Sequence, residues 1–177
     1  MKQEPVTDLR KEAGRAIITG LKQAGINFIA SLPCSGFGYL ELEIKADPDF
    51  THAPVVHEHD AIGICAGASL AGKKPVFIAQ NSGLIMATYS LLNALYFFGG
   101  FPILLLLDHH GGFGDDAGYN FLGYGVQQEP ILERFQILYN TISLADINNI
   151  PTQVVLAQKT TETYGRPAAL LLSREEI

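Results

Sequence analysis

The chain has 177 residues, 47% of them hydrophobic, and its 12 Lys and Arg against 18 Asp and Glu give a net charge of −6. That suffices for one well-cored domain and is short for two; the acidity excludes a partner held by its phosphate backbone, so no nucleic acid is expected. Cys34 and Cys65 are too few for a disulfide framework, and the opening MKQEPVTDLRKEAG is charged where a secretion signal is apolar, so the cytoplasm is the expected compartment.

A helix is predicted over 8–24, where Leu9, Ala13, Ala16, Ile17, Leu21 and Ala24 recur at helical spacing, with Thr7 or Asp8 as cap and Gly25 as stop. INFIASL follows as a strand. After the loop PCSGFG come a short helix near 39–46, the strand APVV, and a helix over 58–71 ended by Gly72. PVFIAQ then reads as a strand, NSG as a turn, 84–98 as a helix and PILLLL as a strand. TISL, a helix over 148–164 and the strand PAALLLS complete the series. No Asp, Glu, Lys or Arg occurs between Lys74 and Asp108, and LIMATYSLLNALYFFGGFPILLLL is long enough to suggest a membrane span. GGFP divides it, because two glycines and a proline terminate a helix, leaving a core helix and a core strand. No membrane is expected.

Unbroken apolar strands alternating with helices define an α/β chain: three layers, with a mostly parallel sheet of about six strands and helices on both faces. We read 1–177 as one domain. Ligands of such sheets bind beyond the carboxyl ends of the strands, which selects the loops 33–38, 57–60, 81–83 and 108–125.

In the second of these, VVHEHDAIG (55–63), Glu58 stands between His57 and His59. A metal site is one reading, with Asp108, His109 and His110 as further ligands. Against it, side chains two apart diverge at a helix start, and no HExxH or cysteine-pair spacing is present. Glu58 alone is explained by the favourable dipole of a helix N-terminus. The following AIGICAGASLAG, with Gly63, Ala66, Gly67, Ala68 and Ala71, leaves little bulk on that helix and permits another backbone or a flat ligand to come close. No GxxxxGK[ST] loop, GxGxxG fingerprint or GxSxG elbow occurs. Cys34 at the end of IASLP is either a nucleophile or an inert small hydrophobe.

Together, SLPCS, VVHEHDAIGICAGASLAGKKPVFIAQNSGL and FPILLLLDHHG resemble the pyrimidine-binding domain of thiamine-diphosphate enzymes. Within that class they are similar to the alpha subunit of sulfopyruvate decarboxylase and to phosphonopyruvate decarboxylases, over about residues 13–173. The resemblance implies the thiamine-diphosphate-binding fold and makes Glu58 the catalytic acid, its carboxyl bonded to the N1′ atom of the cofactor's aminopyrimidine. It places Gln80, Asn81 and Ser82 beside the cofactor or a subunit interface, and Pro33, Cys34, His109 and His110 beside the substrate. It also implies a missing half. In the family a second domain with a GDG motif and paired asparagines holds the diphosphate and Mg²⁺. Here GDDAG has Asp116 for the second glycine, and Asn148 and Asn149 follow in no fitting order. The expected partner is therefore a beta subunit carrying that diphosphate-binding domain, in a hetero-oligomer such as α2β2, with no metal ligand on this chain.

The implied reaction is decarboxylation of a small 2-oxo acid by the paired chains. Two departures bear on the substrate: His110 stands where the relatives have an arginine, and LIMA follows QNSG in place of glycine-asparagine. A guanidinium fork suits a phosphonate or sulfonate better than an imidazole does. The alternatives are a carboligase subunit forming acyloins or acetolactate, a noncatalytic regulatory subunit, and a metal-dependent hydrolase.

Overall fold

The leucines at 104–107 show no polar alternation because the strand that carries them is covered on both faces. Leu104 and Leu106 pack into one core with Ile17, Leu40 and Val154, while Leu105 and Leu107 pack into a second with Ile62, Leu84 and Leu132. Burying each such side chain favours the folded state by roughly 1.5–3 kcal/mol. The computed structural model describes residues 8–33, 37–111 and 119–173. Their elements are α1 (Asp8–Gln23), β1 (Phe28–Ser31), α2 (Gly38–Ala46), β2 (Thr51–Pro54), α3 (Glu58–Leu70), β3 (Pro75–Ala79) and α4 (Asn81–Leu92). Then come a wider π-helical turn (Asn93–Phe97), β4 (Leu104–His109), α5 (Tyr119–Arg134), β5 (Leu138–Ser143), α6 (Ile150–Tyr164) and β6 (Ala168–Ser173).

The six strands form one sheet in the order β2-β1-β3-β4-β6-β5, every pair parallel. Residues of α1, α2 and α6 build one core and residues of α3, α4 and α5 the other, which gives three layers. The chain leaves β1 for β2 on one side and returns to β3 on the other. That reversal opens a crevice at the carboxyl ends of β1 and β3, the place where open α/β sheets bind ligands. The helices that follow β2 and β3, α3 and α4, meet there. Among the described residues no helix is long and apolar enough to cross a membrane.

Three expectations are corrected. The strand expected at APVV lies two residues earlier, at Thr51–Pro54, because its register is set by pairing with β1, Phe28 opposite Thr51 and Ser31 opposite Pro54. NSG is no turn: it is the first turn of α4, with Gln80 as extended N-cap and the Gly83 N–H donating to the Gln80 carbonyl at 2.9 Å. The loop expected over 108–125 is shorter at both ends. Asp108 and His109 extend β4 by pairing with Leu172 and Ser173, and α5 begins at Tyr119 despite Gly123, Gly125 and Pro130.

Two glycines test this packing. A Cβ on Gly20 of α1 would come within 2.9 Å of Pro151 Cα and Val154 Cβ on α6, whereas one on Gly63 of α3 meets nothing within 4 Å. Gly20→Ala is expected to lower stability by about 1–3 kcal/mol through overpacking. Gly63→Ala should raise it by up to about 1 kcal/mol, since alanine has the better helix propensity. Urea unfolding of the two variants checks this; equal responses would contradict the described contact between α1 and α6.

Candidate active site

Glu58 opens α3 after an extended His57 (φ −139°, ψ 140°), so its side chain emerges at the carboxyl edge of the sheet. It is partly buried, and what it lies against is the first turn of α4. A Cβ built on Gly83 would stand 3.0 Å from Glu58 Cγ, 3.2 Å from Glu58 Oε1 and 2.9 Å from Ala79 Cβ. The absent side chain at 83 is thus what lets the carboxylate rest on a helix N-terminus, where the backbone dipole favours negative charge. Beyond it, the outer surface of α3 is open: Gly63 and Gly67 face nothing within 4 Å, and Ile64 is 40% exposed. On α4 the apolar Met86 and Tyr89 are also exposed.

A buried polar lattice fixes the neighbouring edge. Asn81, fully buried, donates from Nδ2 to the His110 carbonyl at 2.6 Å and accepts at Oδ1 from the Ser82 N–H at 2.9 Å. Asp108, also fully buried, holds Oδ2 3.0 Å from Nδ1 of His110, whose ring is 7% exposed. Gln128 of α5 donates from Nε2 to the Asp108 carbonyl at 3.1 Å, and its Oε1 lies 2.7 Å from Nδ1 of the part-exposed His109. The helix reaches the strand end because Gly125 carries no Cβ: one there would overlap Gly111 and sit 2.6 Å from the His110 carbonyl oxygen. Amides buried as deeply as those of Asn81 and Gln128 are tolerated because they are hydrogen-bonded.

The residues singled out from the sequence therefore fall into two places. Glu58 and the α4 start (Gln80, Asn81, Ser82) meet through Gly83, and Asn81 ties that pair to His109 and His110. Pro33 is exposed at the end of β1, and Cys34 lies outside the described residues. His57 and His59 stack on each other, ring centroids 5.2 Å apart, and His59 Nε2 lies 3.3 Å from Asp60 Oδ1. Among the described residues no cluster of three or more His, Cys, Asp or Glu is placed to hold a metal ion. Cys65 is buried in α3, and desolvation pushes its thiol up to about 12, so it is no nucleophile. Gln128 and Gly125 carry no motif, and Gly83 reads in the QNSG string only as a turn residue.

No family model matches the chain. It is 35% identical over 107 residues to sulfopyruvate decarboxylase subunit alpha of Methanothermobacter thermautotrophicus, a match spanning 60% of this chain and 64% of that protein. With sulfopyruvate decarboxylase subunit alpha of Methanococcus maripaludis it shares 31% identity over 130 residues, 72% of this chain and 75% of the relative. Its fold is similar to that of a 2-oxoglutarate:ferredoxin oxidoreductase from Magnetococcus marinus. That match has a TM-score of 0.65 at 20% identity and covers 91% of this chain and 28% of the other. The fold class is therefore an α/β, all-parallel sheet with helices on both faces, shared with a subdivision of a much longer enzyme. The chain belongs to the family of sulfopyruvate decarboxylase alpha subunits.

The contact between Glu58 and Gly83 can be measured on the chain alone. Gly83→Ala should destabilise by about 1–3 kcal/mol, and part of that loss should vanish in a Glu58→Ala background. A double-mutant cycle by denaturant unfolding is expected to give a coupling of about 0.5–3 kcal/mol. Strict additivity would remove the contact.

Proposed function

We propose that this chain is the alpha, pyrimidine-binding subunit of a split thiamine-diphosphate-dependent decarboxylase acting on a small 2-oxo acid. The observation that carries the reading is the Glu58 carboxylate resting on Gly83 at the sheet's reversal, beside a helix whose outer surface is glycine and small apolar residues. A partly buried acid next to open, flat, apolar surface suits an aminopyrimidine ring, with the carboxyl sharing a proton with a ring nitrogen. When bound, the cofactor supplies the carbon nucleophile and the electron sink that decarboxylation requires. Glu58 would hold the proton on the pyrimidine. Gln80, Asn81 and Ser82 would border the cofactor and the subunit interface, and Pro33, Cys34, His109 and His110 the substrate.

A diphosphate and its magnesium need a donor set of their own. The relatives' designation as alpha subunits supports a partner beta subunit that carries the diphosphate-binding domain and closes over Ile64, Met86 and Tyr89, apolar groups that face solvent here. A hetero-oligomer of the α2β2 kind, working in the cytoplasm, fits this arrangement. The substrate's tail is a separate matter. Asp108 Oδ2 lies 3.0 Å from Nδ1 of His110, so a carboxylate already stands against the imidazole that a sulfonate or phosphonate tail would have to use. An uncharged tail fits better.

Isothermal titration of the chain alone with thiamine diphosphate and Mg²⁺ should show weak binding, and carbon dioxide release should require the partner. Tight, magnesium-dependent binding by the isolated chain would refute the split site. In the reconstituted complex, kcat/KM is expected to be higher for an uncharged-tail 2-oxo acid than for sulfopyruvate. Asp108→Asn should move that ratio toward the sulfonate by about tenfold, the worth of one charge-assisted contact. A strong sulfonate preference in the unmodified complex, indifferent to Asp108→Asn, would place tail recognition on the partner.

A further inference from the structure

Gln128 lies wholly buried on α5, one helical turn beyond the Gly125 contact with residues 110 and 111, and therefore on the same face. Its amide bridges two groups: Nε2 is 3.1 Å from the Asp108 carbonyl oxygen, and Oε1 is 2.7 Å from His109 Nδ1. A backbone carbonyl can only accept, so the amide nitrogen must face Asp108; the reverse orientation would set two oxygens against each other. The amide oxygen then faces His109, and an oxygen that can only accept requires a proton on Nδ1. Which nitrogen of an imidazole carries the proton is decided by the bond that the other one makes.

We propose that Gln128 is a positioning residue that keeps the proton of His109 on Nδ1 and so makes Nε2 the nitrogen that exchanges hydrogen bonds and protons with the substrate. The substrate half of this statement rests on the decarboxylase reading; the tautomer half does not. Neutral His109 offers a lone pair at Nε2. Protonated His109 offers an N–H there and still donates from Nδ1 to Gln128, so a proton is gained from water or given to the reacting molecule without breaking the anchor. The part-exposed ring is accessible for this, and the backbone on which it stands is gripped from both sides. Gln128 holds the Asp108 carbonyl, and Asn81 holds the His110 carbonyl at 2.6 Å. His110, in contrast, has its ring buried against Asp108.

The test is long-range proton–nitrogen correlation NMR on the full chain labelled with ¹⁵N-histidine, the His109 signals being those lost in His109→Asn. Neutral His109 is expected as the Nδ1–H form. Gln128→Met, similar in size but with no acceptor, should release the proton to Nε2. In the reconstituted complex, Gln128→Met should lower kcat by about 10–100-fold, the cost known for losing the partner that orients a metal-bound histidine, with less effect on KM. Neutral His109 found as Nε2–H in the unmodified chain overturns the proposal, and that spectrum decides even if Gln128→Met does not fold. So does a tautomer indifferent to Gln128→Met. A tautomer that follows Gln128 in a complex that turns over no 2-oxo acid leaves the positioning role standing and removes the decarboxylase reading.

Discussion

The site depends on one steric constraint: two helix N-termini approach so closely at the carboxyl edge of the sheet that residue 83 has no room for a Cβ beside Glu58 and Ala79. Because β1 and β3 are neighbours, while β2 lies on the far side of β1, the helices that follow β2 and β3 must run side by side over the same face. Their starts therefore meet at the reversal. With a glycine at 83 the Glu58 carboxylate rests on the α4 turn; with any larger residue it would be displaced toward solvent. A fold-level property, the strand order, thus delivers an acid to a defined place.

The second half of the site is held by hydrogen bonding where the first is held by sterics. At the end of β4 the chain buries Asp108, Asn81 and Gln128 completely, which would cost about 1–3 kcal/mol for each polar group left unsatisfied. Here the two amides are satisfied and Asp108 faces His110: α4 reaches the His110 carbonyl through Asn81, α5 reaches the Asp108 carbonyl and His109 through Gln128, and Asp108 Oδ2 lies 3.0 Å from His110 Nδ1. The lattice joins α4 to β4 and β4 to α5, so the two histidines are fixed relative to the helix on which Glu58 rests. A ligand bridging Glu58 and His109 would meet groups already in place, which is the condition for catalysis by orientation.

Much of this was legible in the sequence, for identifiable reasons. The unbroken leucine run at 104–107, cut from the preceding helix by GGFP, read as a strand covered on both faces, and alternation with helices then implied a parallel sheet. Glu58 stood out because a run of small residues followed it. What escaped was decided by tertiary contact. The ends of β2 and β4 are set by their partners, Ser31 opposite Pro54 and Ser173 opposite His109, and no local pattern encodes them. Helix α5 was hidden because Gly123, Gly125 and Pro130 all disfavour helix, whereas Gly125 is there to let the helix touch residues 110 and 111. Gln128 was invisible for a similar reason: a buried glutamine becomes meaningful only when the two groups that it bridges are known.

If the close contact of Glu58 with α4 serves a cofactor, its proton must matter to that cofactor. The direct measurement is the exchange of the thiazolium C2 proton of thiamine diphosphate in heavy water, followed by NMR in the reconstituted complex with Glu58 and with Glu58→Gln. Glutamine keeps the size and hydrogen-bonding reach of the side chain but cannot share a proton. The complex should still form, and exchange should slow by about 10²–10⁴-fold, the range for a positioned acid-base group. Exchange at an unchanged rate would contradict the account and return Glu58 to an ordinary charge at the start of a helix.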